Sequence, residues 1–326
     1  MDPPTPAPDP VEPFDAKRFR PKPLAGRRHL AETSRFARPV DPGGTAGAFL
    51  ASLPDFLGAR SLKSLAAAVA EAKRGGRPVL WGLGGHVVKV GLGPLLVDLM
   101  ERGLVQGIAM NGAAAIHDAE VALHGSTSED VGEGLFEGTY GTADETGRLF
   151  ADASARSRGG SEGLGTALGR LLLAAKPKHA GISVLCEAAR RNVPVTVHVA
   201  IGTDTVHMHP ACAGADVGAA THRDFLRLAT LVEGLEGGVY VNVGSAVVLP
   251  EVFLKAVAMA HNARPGKRIR ITTGNLDMNR HYRPRVNVLE RPAEHGYDVA
   301  GHHEITFPLL RLAILAALAP RKGKAT

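Results

Sequence analysis

The sequence predicts an α/β protein built on a parallel sheet with helices on both faces. Three observations carry this. From residue 60 onward, helical stretches alternate with short apolar runs bounded by glycine or proline. Those runs are apolar throughout, as strands buried on both faces are. The stretches between them are ten or more residues long, the length of a crossover helix that joins parallel strands.

The elements follow in order. Leu62, Leu65, Ala66 and Val69 fall at three- and four-residue spacing and make one apolar helix face, which ends before Gly75-Gly76. Residues 78–81 read as a strand. A second helix starts at Pro94, where a missing N–H does no harm, and runs through Leu95, Leu96, Leu99 and Met100 to Gly103. Residues 105–110 form the next strand. Further on, 183–191, 224–233, 250–261 and 305–319 read as helices, while 195–201, 239–243 and 268–272 read as strands. The stretch 125–147 is rich in Glu, Gly and Thr with little apolar periodicity. It is expected to be an exposed loop, and loops of that length often serve as lids.

Composition bounds the rest. With 326 residues, 44% hydrophobic and 21% charged, the chain is long enough for a large core and too apolar to be disordered. Collagen-like and disulfide-scaffold classes are excluded by the same figures. Ten of the 22 prolines precede residue 46, which denies that segment helix and ladder hydrogen bonds. We therefore expect a Pro-rich extended or disordered arm over 1–45, a single α/β domain over 46–320 and a basic tail over 321–326. Phe14, Phe19 and Phe36 are apolar anchors suited to an arm that braces a neighbouring subunit.

The net charge is +6, of which +2 lies in the arm and +3 in Arg321, Lys322 and Lys324, so the body carries only +1. Without a basic face, and with aromatics at 5%, nucleic acid is not an expected partner. The longest apolar stretch, 309–319, is interrupted by Arg311 and falls short of the roughly 20 residues of a membrane span. No membrane is expected either. Only Cys186 and Cys212 occur, and no charged-then-apolar segment opens the chain, so the expected compartment is the reducing cytoplasm.

In parallel sheets ligands bind beyond the carboxyl ends of the strands. The segments at those ends are Gly82-Leu83-Gly84-Gly85-His86, Asn111-Gly112-Ala113-Ala114, Gly202-Thr203-Asp204-Thr205, Gly244-Ser245-Ala246 and Thr272-Thr273-Gly274-Asn275. Small residues let backbone amides approach anionic oxygens, so these turns are a candidate nucleotide pocket. Any strand-to-helix turn favours the same residue types. Neither dinucleotide fingerprint nor P-loop is present: Gly82 and Gly84 are followed by Val87, and Gly91 and Gly93 by Leu96, where the fingerprint needs glycine.

Histidine is the second clue, with 14 in the chain. His86 and His117 lie just beyond strands, and imidazole is the side chain best suited to proton handling at physiological pH, so they are candidate proton-handling groups. Glu120 reads as a first-turn acid favoured by the helix dipole. Asp204, His207 and His209 are an alternative site for a divalent metal, with two imidazoles beside a carboxylate. His302-His303-Glu304 precedes the last helix, where a capping and a pocket role compete.

The order of these motifs resembles deoxyhypusine synthase. The run Ser183-Val184-Leu185-Cys186 through Asn192-Val193-Pro194-Val195 to Gly202-Thr203-Asp204 is similar to the family's helix, x-Pro-Val strand and Thr-Asp turn. Residues 82–91 and 95–118 resemble its first nucleotide-side turn, helix and strand, and 238–245 its Gly-rich strand end. The resemblance implies a Rossmann-like domain, NAD at the strand ends and a homotetramer with sites at dimer interfaces. It also implies oxidation of spermidine by NAD and passage of an aminobutyl group through a lysine imine. Gly84, Gly85, Asn111, Gly112, Ala113, Asp204, Gly244, Ser245 and Thr273 are the cofactor candidates so implied.

Two departures limit the activity. The family's Gly-Gly-Val-Val-Lys-His reads here Ser245-Ala246-Val247-Val248-Leu249-Pro250, and its Trp-Gly-Lys has no counterpart, Trp81 being the only tryptophan. Lys89 and Lys255 exist, but no lysine occupies the imine position. The expectation is an NAD-dependent enzyme acting on a small amine or related polar metabolite, not on deoxyhypusine formation itself. A metal-dependent hydrolase or lyase using the His/Asp cluster and a nucleotide-binding protein without catalysis are the alternatives.

Overall fold

The computed structural model describes residues 11–319; Pro3 to Pro10 of the expected arm and the basic tail fall outside it. The chain divides into two compact units between Phe36 and Ala37. The first holds three short 3-10 turns, Ala16–Arg18, Leu24–Gly26 and Thr33–Arg35, with no residue of them buried. In the second, Arg38 donates its backbone N–H to the Ser52 carbonyl at 3.0 Å and ties residues 38–45 to the first helix of the body.

That body is a six-stranded sheet, every pair parallel, in the order β3-β2-β1-β4-β5-β6. Its strands are β1 (Val79–Leu83), β2 (Gly107–Asn111), β3 (Val195–His198), β4 (Val239–Val243), β5 (Thr272–Asp277) and β6 (His295–Ala300). The first helices are α1 (Ala46–Ser52), α2 (Leu57–Arg74), α3 (Gly85–Lys89), α4 (Gly93–Glu101) and α5 (Gly112–His124). Next come α6 (Val131–Glu137), α7 (Asp144–Gly159), α8 (Leu164–Ala174) and α9 (Val184–Arg190). The last are α10 (Gly214–Glu233), α11 (Val248–Asn262), α12 (Tyr282–Pro284) and α13 (His303–Leu318). Among the described residues no helix is long and apolar enough to cross a membrane.

Side chains alternate across the strands and fill two cores. On one face Trp81, Ile108 and Val241 pack with residues of α2, α5, α9 and α13. Trp81 meets Phe307 edge-on at 5.7 Å, and its indole N–H donates to the Leu104 carbonyl at 3.0 Å, so burial leaves no polar atom unpaired. On the other face Leu80, Ala109 and Tyr240 pack against α10 and α11, with Tyr240 stacked on Phe253 at 3.8 Å. The Tyr240 hydroxyl presses on Gly82, the one residue type that leaves it room.

Several expectations are corrected. The strand placed at 268–272 runs over Thr272–Asp277 instead. Its Gly274 reads as a turn residue, but the methyls of Leu65 fill the place a Cβ would take, and Asn275 is paired with Asn242 and Asp298. Thr273 therefore lies at the amino end of β5, its hydroxyl donating to the Val288 carbonyl at 2.8 Å, away from the carboxyl ends. The stretch 125–147 is not a plain loop: it contains α6 and the start of α7. The helix expected from 224 begins at Gly214, and β6 was hidden by its polar sequence HGYDVA.

One buried carboxylate joins α5 to α9. Asp118 accepts from the Ser183 hydroxyl at 2.6 Å and from the backbone N–H groups of Val184 and Leu185 at 2.8 Å each. It thereby supplies partners for donors that the first turn of α9 leaves open. Removing it strands those donors, so Asp118→Ala should lower the unfolding free energy by about 3 kcal/mol. Urea denaturation checks this, and a loss under about 1 kcal/mol would contradict the role.

Candidate functional site

The chain builds β1, β2 and β3 outward to one side and then β4, β5 and β6 to the other, so the strand order reverses between β1 and β4. Loops there diverge above and below the sheet and leave a crevice at the carboxyl ends. Gly84 and Gly244 meet in it. The Gly84 N–H donates to the Val243 carbonyl at 2.8 Å, and a Cβ on Gly84 would collide with the Gly244 carbonyl. Gly244 itself has φ +69°, a conformation that favours glycine.

Imidazoles line this crossing. The His117 ring packs against Gly85, and the neighbouring His86 ring stands 5.7 Å from that of His303. His303, at the start of α13, is 1% exposed and its buried Nδ1 has no partner among the described residues. Burial holds this imidazole below its ordinary pKa; nearby Asp277 opposes the shift and His86 adds to it.

Beside the crossing, over β2 and β3, opens a cleft of about 840 Å³. Lys89, His117, Glu120, Glu129, Glu145 and Asp204 line it. Four carboxylates face one lysine, so the cleft favours cations. Helix α5 opens at Gly112, capped by Asn111, whose side chain accepts from the Ala114 N–H at 2.9 Å. His117 and Glu120 are therefore three residues apart in mid-helix and share a face. The reading of Glu120 as a first-turn acid is corrected: it is a cleft residue.

Thr127 links this pair. Its hydroxyl donates to Glu120 in a short hydrogen bond, so its oxygen accepts from His117 Nδ1 at 2.7 Å. That tautomer leaves Nε2 as the basic nitrogen of His117. For Glu120, desolvation acts upward, but hydrogen bonds from His117 and Thr127 outweigh it and hold the carboxyl below its usual value.

Asp204 lies over the amino end of α5, where its carboxylate fills the place of a Gly112 side chain. One oxygen, Oδ2, is buried with no hydrogen-bond partner among the described residues, and burial pushes the carboxyl up to about 6. His207 and His209 do not join it. His207 Nδ1 accepts from the Gly202 N–H at 3.2 Å, and His209 Nε2 pairs with Asp144 at 3.1 Å. Among the described residues no group of three or more His, Cys, Asp or Glu is placed to hold a metal ion. The structure thus brings together Gly84, Gly85, His86, Gly244 and Ser245 at the crossing and Asn111, Gly112, Ala113, His117 and Asp204 at the cleft. The Ser245 hydroxyl is committed to the Leu249 N–H at 3.2 Å, while Lys89, Glu120, Thr127, Glu129 and Glu145 join the site unforeseen. The spacing of His117 and Glu120 was the available signal for that acid.

No protein-family model and no curated protein matches the chain. Among solved structures it is similar to a conserved, provisionally assigned LOR/SDH protein from Methanococcus maripaludis S2, at 17% identity and TM-score 0.50. That match covers 85% of this chain and 71% of that one. It is also similar to a provisionally assigned deoxyhypusine synthase from Entamoeba histolytica, at 13% identity and TM-score 0.48, over 88% and 99% of the two chains. A third match is AgrE in a ternary complex with ornithine and NAD+, at 17% identity and TM-score 0.48; this chain spans 33% of its length. The first likeness shows a shared fold. Fold and crevice together define an α/β protein on one parallel sheet with Rossmann-like strand order.

A pH dependence follows from Asp204. Its carboxyl titrates at 3.8 ordinarily and at about 6 in the fold, so between these values the folded protein holds a proton the unfolded chain has lost. Stability therefore falls as pH rises across that window and levels off above it. Asp204→Asn should remove this decline and leave the protein about 1–2 kcal/mol more stable near pH 8. Denaturant titrations at both ends of the window test it; an unchanged slope would contradict the assignment.

Proposed function

We propose that the protein is an NAD-dependent enzyme acting on a small amine, with the dinucleotide across the glycine crossing and the amine in the acidic cleft. The observation that carries this reading is the adjacency of the two: a cation-favouring cleft opens beside a backbone cradle at the strand-order reversal. Gly84, Gly85 and Gly244 leave the backbone open to a pyrophosphate. The unpartnered Asp204 Oδ2 suits a ribose hydroxyl, which would satisfy an acceptor that is otherwise costly to bury. When bound, NAD supplies a hydride acceptor.

The chain's own residues do the rest. Glu120, Glu129 and Glu145 attract the protonated amine, whose nitrogen must lose its proton before a hydride can leave the adjacent carbon. His117 Nε2 takes that proton, and the resulting imidazolium is stabilised through Thr127 by the Glu120 carboxylate. Lys89 stands at the same wall to pair with an acidic group on an amine that carries one.

Calorimetry with NAD, followed by absorbance assays with linear diamines and basic amino acids, tests the reading. NAD should bind once per chain, and Asp204→Ala should weaken it about tenfold. His117→Gln should lower turnover at least roughly 100-fold while leaving NAD affinity unchanged. No NAD uptake, or full turnover without His117, would overturn these roles.

A further inference from the structure

Residues 129–142 make their hydrogen bonds among themselves and touch the body chiefly where Gly141 meets Thr205 and Met208. Asp130 caps α6 by accepting from the N–H groups of Gly132 and Glu133. Glu129 accepts from the Gly141 N–H at 2.9 Å and closes the two ends of the segment on each other. The N–H groups of Thr139 and Tyr140 both donate to the Gly134 carbonyl, at 2.8 and 3.0 Å. Among the described residues, the hydrogen bonds of this segment are thus made within it. Helix α6 buries only Gly134, and no other element packs extensively on it.

Left-handed residues stand before and after α6. Ser128 has φ +71° on one side, and Gly138 and Gly141 have φ +77° and +71° on the other. Ser128 adjoins Thr127, which the His117–Glu120 pair holds to α5, so the anchored and the loosely packed parts meet at one residue. Leu135 and Phe136 are 68% and 94% exposed. A soluble helix normally turns such side chains onto a core. Val131 lines the cleft, and Leu135 lies one turn further on the same helix face. Opposite, Ile116 and Leu123 of α5 give the cleft an apolar wall.

We propose that residues 129–142 form a lid that swings about Ser128 and the Gly138–Gly141 turn and closes over the cleft, bringing Leu135 onto Leu123. Closure buries the apolar face of α6 against the apolar wall and excludes water from His117. The charge of the segment sets when this happens. Glu129 lines a cleft that already holds Glu120, Glu145 and Asp204, Asp130, Glu133 and Glu137 follow on the same segment, and no lysine or arginine lies between residues 121 and 147. Like charge therefore holds the lid off, and a cation in the cleft lets it close. This trigger rests on the amine reading above; the hinge and the apolar seat do not.

The test is a disulfide trap in the full chain, with Leu123→Cys and Leu135→Cys in a Cys212→Ser background. Mild oxidation should link the pair without any ligand, and complete resistance to linking would overturn the lid whether or not an amine binds. Adding Glu133→Gln and Glu137→Gln, neither of which lines the cleft, should speed linking roughly threefold by relieving repulsion. An unchanged rate would overturn the charge control. Putrescine, with its own binding followed by calorimetry, should accelerate linking as well. If putrescine binds without acceleration the trigger fails, whereas absence of binding with normal trapping refutes the amine reading and leaves the lid standing.

Discussion

The close approach of Gly84 to Gly244 is the constraint on which the rest depends. Two parallel strands can leave the sheet in opposite senses at their carboxyl ends only if the turns above them share one space, and here that space admits no side chain on Gly84. The same geometry keeps β1 and β4 in register, with Leu83 opposite Val243, and brings the turns that follow them together at the mouth of the crevice. Packing and site are thus two results of one steric condition. An alanine at 84 would have to push the β4 turn away and would disturb both.

Around this crossing the protein retains polar groups that a purely structural core would exclude. Among the described residues Asp204 Oδ2 and His303 Nδ1 are buried without hydrogen-bond partners, while buried Asp118 is fully engaged at both oxygens. The contrast is informative because all three lie toward the same end of the sheet or on helices that follow it. A paired carboxylate stabilises a helix start, whereas an orphaned one costs stability. The fold is firm beneath the cleft and loose at its lip, where α6 shows its apolar side chains to water.

Much of the fold was legible because burial on both faces leaves a plain signal. The apolar runs of β1 and β4 and the heptad-like spacing of α2 needed no tertiary context. The failures were local and physical. In β5, Thr-Thr-Gly-Asn mimics a turn because the strand's needs are unusual: Leu65 demands a glycine, and Asn275 belongs to a polar row that only neighbouring strands complete. Strand β6 is an edge with polar side chains, and α6 lacks an apolar stripe buried in the core. The turns of the candidate site were readable from glycine and asparagine alone. The acids of the cleft were not, because Glu129 and Glu145 reach it only through the folding of a segment without periodicity.

The central claim is that the strand-end turns on either side of the crossing form one dinucleotide cradle. Amide hydrogen exchange of the full chain with and without NAD measures it directly. The account predicts slowed exchange together at Gly84–His86, at residues 111–113, around Asp204 and at Gly244–Ser245, with the amino end of β5 near Thr273 unchanged. Protection confined to one of these turns, or appearing near Thr273 instead, would contradict it.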